Sequence, residues 1–121
     1  MLSAFHLNAL AATAHQESRQ AGWYTEVDGT EKTRNIPEML CLIHSEISEA
    51  MEGYRKNLKD DKLPDRPMIE VELADAIIRI ADLAAYLKLD IEGAVIEKML
   101  YNRTREDHKL ENRRMTGGKS F

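Results

Sequence analysis

With one cysteine, Cys41, in 121 residues the chain has no intrachain disulfide framework to hold it, and the thiol, set in the apolar run Met39-Leu-Cys-Leu-Ile43, reads as buried and structural. No apolar stretch approaches the roughly 20 residues of a membrane span, which argues against an integral membrane protein. Met1-Leu-Ser-Ala lacks the basic stretch of a secretory leader, so a cytoplasmic location is the default expectation. His6, His44 and His108 share no ligand spacing, and with a lone cysteine this disfavours a zinc site. No repeat and no low-complexity tract is found. Three prolines and six glycines leave long segments free of helix breakers.

Those segments are rich in Ala, Leu, Ile, Glu and Lys, the composition of helices; no strand has a candidate. Hydrophobic residues at 43% and charged ones at 31% mark an ordinary globular chain, expected to form a single domain over residues 1–121. The net charge of -4 conceals an asymmetry: residues 98–121 carry 7 Lys/Arg against 3 Asp/Glu, and residues 1–97 carry 10 against 18. An acidic body makes a nucleic-acid polymer a poor partner, whereas a basic end suits the phosphates of a small substrate.

Four helices are predicted. Ser3 caps the first, which runs to about Gln20 with Gly22 as its stop. After a loop turning at Asp28-Gly29, the second starts at Asn35-Ile36-Pro37 and runs to about Lys56, with Leu40, Ile43, Ile47, Ala50 and Tyr54 facing the core. A solvated connection, Leu58 to Pro67, leads to the third, about Met68 to Leu87, with a stripe of Ile69, Leu73, Ala76, Ile77, Ile80, Ala84 and Leu87. Asp90 caps the fourth, Ile91 to about His108, with Val95 and Met99 among its apolar positions. Residues 110–121 form a basic, Gly-containing tail in which Lys119 could ride on a flexible flap. The expected architecture is an all-α four-helix bundle.

Two carboxylate pairs, Glu46-x-x-Glu49 and Glu72-x-x-Asp75, sit on the second and third helices. Residues three apart share a helix face, so antiparallel packing would converge four acids on one volume. Either pair alone reads most simply as a solvated, ion-paired face. Both adjoin apolar stripes, however, and four converging carboxylates call for a cation; an all-oxygen set suits Mg²⁺, or Mn²⁺, better than Zn²⁺. A di-iron site would need Glu-x-x-His, and His44 precedes Glu46 instead of following it at that spacing. On the fourth helix Lys98 and Asn102, followed by Arg103 and Arg105, suit phosphate oxygens and a sugar hydroxyl if a metal lies nearby; Lys98 otherwise pairs with a Glu. Trp23 and Tyr24 could wall a pocket for a base, or cover a corner of the core, while His15 and Asn8 could read base edges or face solvent.

The blocks Ser45-Glu46-Ile-Ser-Glu49, Glu72-Leu-Ala-Asp75 and Lys98-Met-Leu-Tyr-Asn102, in that order over His15 to Arg105, resemble the MazG-like all-α nucleoside triphosphate pyrophosphohydrolases. Ser45 departs from the pattern, standing where the family has the first Glu of a doublet. The resemblance implies Mg²⁺-dependent cleavage of a nucleoside triphosphate, a deoxy or non-standard one included, to monophosphate and pyrophosphate. It implies Glu46, Glu49, Glu72 and Asp75 as metal ligands, with Glu46 or Glu49 also orienting water or taking its proton. Lys98, Asn102 and Arg105 would bind phosphates and sugar, Trp23 and His15 the base. It also implies a homodimer or homotetramer. The competing readings are a non-catalytic helical dimerisation or regulatory module, and the same metal site acting on another nucleotide pyrophosphate.

Overall fold

A computed structural model describes residues 5–105, 109–118 and 120. Among these the chain is all-α, with α1 (Leu7–Gln20), α2 (Ile36–Arg55), α3 (Met68–Tyr86), α4 (Ile91–Thr104) and the single-turn α5 (Leu110–Arg113). The extended pairings among them are two isolated bridges, Thr25 with Glu31 and Lys59 with Pro67.

The punctuation follows local chemistry. Asn35 accepts a hydrogen bond from the Glu38 backbone N–H at 3.0 Å and Pro37 fills the first turn, opening α2 where the sequence predicts. Asp90 does the same for α4 through Gly93 at 2.9 Å. Gly22, at φ +92°, takes the left-handed conformation that ends α1. Two boundaries differ from expectation. Residues 5 and 6 precede α1, and the expected cap Ser3 lies outside the described residues. α4 stops at Thr104, because Arg105 turns to extended backbone; His108 and Lys119 also lie outside the described residues.

The described chain forms two compact units, residues 7–89 and residues 90–121 with the N-terminal six. In the first, α3 packs against both α1 and α2. α2 and α3 run antiparallel: Gly53 near the end of α2 lies against Met68 at the start of α3, and Glu46, two turns earlier, meets Arg79 further on. Their connection is tighter than a solvated loop, since Asp60 is buried and its Oδ2 accepts from the backbone of Lys62 and Leu63 at 3.0 and 2.8 Å.

The core is built largely of alanine. Ala11 and Ala14 of α1, Ala50 of α2, and Ala76, Ala81 and Ala84 of α3 are buried, and Tyr24, Met39 and Leu83 form the bulky cluster between them. Small side chains let helices approach closely, but they contribute little buried area each. Here the expected stripes need correcting. Leu40, Ile47 and Tyr54 on α2, and Leu73, Ile77, Ile80 and Leu87 on α3, are exposed. The inward positions of α2 are instead Met39, Glu46, Ala50 and Gly53, so the acids lie in the seam and the large aliphatics outside it. Apolar periodicity marks a face that avoids water without saying which neighbour covers it. Cys41 is likewise exposed, not buried, because it lies on that outward side of α2.

In the second unit α4 contains no buried residue; Ile91 and Val95 are half-buried, and Met99, Leu100 and Tyr101 are exposed. No helix among the described residues is long and apolar enough to cross a membrane.

Candidate metal and substrate site

Antiparallel packing of α2 on α3 brings Glu46, Glu72 and Asp75 together, with one oxygen from each lying within 4.8 Å of the others. Glu46 and Glu72 are each only 8% exposed. Burying carboxylates is costly unless they are paired or protonated, and the site shows both responses. Arg79, one turn beyond Asp75, donates from Nε to Glu46 Oε1 at 3.0 Å. Burial, then the neighbouring carboxyls of Glu46 and Glu49, push Glu72 up to about 8. Asp75 is also raised, by burial first and by the charge of Glu46 next, against the opposing pull of Arg79.

Glu49, the fourth acid expected here, is exposed on α2 and stands outside the close triad. It remains near enough to Glu72 to raise it through hydrogen bonding and charge. Glu72 Oε2 is buried without a hydrogen-bond partner among the described residues. An orphaned acceptor inside a set of oxygen donors is what a hard divalent cation satisfies, so the residues present fit Mg²⁺ or Mn²⁺.

Glu46 and Asp75 open onto a cavity of about 500 Å³, within the range of small-molecule sites. Glu46, Asp75 and Arg79 form part of its wall, and Trp23, Arg34 and Asp82 another part, with Ala14, Met39, Leu42 and Ile78 as apolar lining. Trp23, 64% exposed, is therefore a cavity wall and not a core plug; its neighbour Tyr24, 2% exposed, is the core residue.

Behind Trp23 lies a polar network that the spacing of the acids does not announce. Asp82 Oδ1 accepts from the Tyr24 hydroxyl at 2.9 Å and meets His15 Nδ1 at 2.8 Å. His15 and Tyr24 stand edge to face with centroids 4.7 Å apart, and Tyr86 tilts against Tyr24 at 4.9 Å. Burial, followed by the bond to Asp82, raises the Tyr24 hydroxyl well above its ordinary value. The Arg34 backbone N–H donates to the Tyr86 hydroxyl at 3.0 Å, and its guanidinium lies over the Tyr24 ring. His15, expected to read a base edge, is hydrogen-bonded to Asp82, and Asn8 lies exposed near the start of α1.

Lys98, Asn102 and Arg105 belong to the second unit. The Lys98 ammonium sits 4.8 Å from the centroid of the Tyr101 ring, and Asn102 Oδ1 is buried without a hydrogen-bond partner among the described residues. Ser45, in place of a third acid, turns its hydroxyl back onto the Leu42 carbonyl at 2.6 Å.

Arg79 and Asp82 were missed by sequence reasoning although a signal exists. Glu72, Asp75, Arg79 and Asp82 recur at intervals of three, four and three, a single helix face carrying charge through the middle of an apolar segment. Compared with known proteins, the chain matches no family model, no curated protein and no solved structure.

Proposed function

We propose that this chain is a Mg²⁺-dependent nucleotide pyrophosphohydrolase that splits a nucleoside triphosphate between its α- and β-phosphates, consuming one water and giving a monophosphate and pyrophosphate. The observation that carries the reading is the carboxylate triad, with its orphaned Glu72 oxygen, of which Glu46 and Asp75 line a cavity walled by an indole and two guanidinium groups. A surface ion-pair row would not bury its acids or leave one of them partnerless.

Glu46, Glu72 and Asp75 would hold the metal, with Glu49 at the margin as a fourth ligand. When bound, Mg²⁺ neutralises phosphate charge and makes water more acidic. Glu49, the exposed member of the group, would accept a proton from the attacking water. Arg79 holds Glu46 in place from the cavity side, and Trp23 offers a flat face for a base. The roles of Lys98, Asn102 and Arg105 in gripping phosphates and sugar rest on the motif resemblance alone.

The bundle would complete itself as a homodimer or homotetramer. Ile47, Met51 and Tyr54 on α2 and Leu73, Ile77 and Ile80 on α3 are exposed apolar side chains that a second copy of the chain could cover. The decisive assay is pyrophosphate release from a mixed panel of ribo- and deoxynucleotides with Mg²⁺ or Mn²⁺. The reading expects release from at least one triphosphate and its loss in Glu46→Gln and Asp75→Asn; no release from any nucleotide would end it. A helical docking module without catalysis predicts, in addition, no heat of binding at millimolar Mg²⁺.

A further inference from the structure

Asp82 lines the cavity two turns beyond Asp75, and it is nine-tenths buried. Both donors that reach it, the Tyr24 hydroxyl and His15 Nδ1, end on the same oxygen, Oδ1. Among the described residues no donor reaches Oδ2, and since it is not one of the fully buried partnerless atoms it is open to the cavity, the acceptor left for whatever fills it. A carboxylate oxygen facing a cavity gives up water when a ligand enters, so it discriminates strongly between ligands that bring an N–H and ligands that bring a carbonyl. Trp23, Met39, Leu42 and Ile78 in the lining of the same cavity suit a flat, weakly polar ring. A planar ring with a donor on its edge meets both demands.

We infer that Asp82 Oδ2 receives the exocyclic amino group of a nucleobase, so that the site takes cytosine or adenine in preference to their keto counterparts uracil and hypoxanthine. In the keto bases an oxygen stands where the amino group was, and its lone pairs face those of the carboxylate. Turning uracil to present its ring N–H brings two flanking carbonyls with it, which the same oxygen repels. His15 and Tyr24 act as positioning residues, fixing Asp82 by holding its other oxygen. The inference deepens the nucleotide pyrophosphohydrolase reading and rests on it for the nature of the ligand.

Trp23 is the only tryptophan, so its fluorescence reports stacking in this cavity without a label. The test titrates the full chain with two matched pairs of nucleoside monophosphates, CMP with UMP and AMP with IMP, each pair exchanging amino for keto at one ring position. The expected result is binding of the amino member at least about tenfold tighter in each pair. Asp82→Asn keeps an oxygen for Tyr24 and His15 while turning an NH₂ toward the cavity, and should erase or invert the preference; a purely structural role would weaken both members alike. Equal affinity within each pair, or no quenching by any of the four, overturns the inference, and the wild-type comparison does not depend on the variant folding. Pyrophosphate release without an amino preference would overturn this inference and leave the hydrolase standing; a clear preference without pyrophosphate release would do the reverse.

Discussion

Replacing Glu72 by Gln should make the metal-free protein more stable in alkali while removing a ligand of the proposed metal site. Glu72 is buried beside Glu46, Glu49 and Asp75, and its carboxyl is pushed from an ordinary 4.5 up to about 8. A carboxyl raised on folding keeps its proton longer in the native state than in the unfolded one. Its contribution is therefore complete below about 4.5, declines as pH rises and is gone above about 8. At roughly 1.4 kcal/mol per pH unit, that window is worth about 5 kcal/mol as an upper bound, and relaxation of Glu49 toward water will lower it to about 2–4. Gln keeps the shape and carries no charge at any pH. Urea denaturation followed by circular dichroism, with a chelator present, should show Glu72→Gln within about 1 kcal/mol of wild type at pH 5 and about 2–4 kcal/mol more stable at pH 9. Millimolar Mg²⁺ should close that gap by stabilising wild type alone. A variant equal to or weaker than wild type at pH 9 would refute the buried-acid account.

Three further outcomes are expected. Arg79→Ala removes the guanidinium that pairs with Glu46 from a half-exposed position; Mg²⁺ should then bind about three- to tenfold tighter by calorimetry, because no resident cation competes, and unchanged or weaker binding would show that Arg79 does not shield the acids. Ile77→Lys plants a charge on a residue 53% exposed on the outer side of α3, and sedimentation should show a lower mass than wild type at equal concentration; an unaltered assembly would clear that face of an interface role. Gly53→Ala sets a Cβ 2.7 Å from Met68 Cγ and 2.8 Å from its Cβ, the latter unable to rotate away, so overpacking of about 1–3 kcal/mol should outweigh a helix gain of about 1 kcal/mol. A rise in melting temperature would contradict it.

The helices were legible because each boundary is a local event. Asn35, Pro37, Asp90 and Gly22 act through bonds or torsions within a few residues, and α2 and α3 stand within a residue or two of where sequence places them. The acidic pairs were legible for the same reason, since three-residue spacing already fixes a shared face. What could not be read was rotation about the helix axis. Ile47 and Glu46 are neighbours, and the decision to bury the charged one rests on what α3 brings opposite it: Arg79, Glu72 and Asp75, more than twenty residues away. Asp82 escaped notice because its partners Tyr24 and His15 lie on other segments, separated from it by 58 and 67 positions. A lone Asp in an apolar helix becomes informative only when the fold supplies its donors.

The alanine-lined seam changes which substitutions deserve fear. In most domains trimming a large interior side chain is the damaging act, whereas here Ala50, Ala76, Ala81 and Ala84 already stand near the minimum size and the hazard is growth. A single added isopropyl group along that line would wedge two rods apart and, with them, the three oxygens they carry. Loss of the proposed metal site should therefore arise readily from enlargements that never touch an acid.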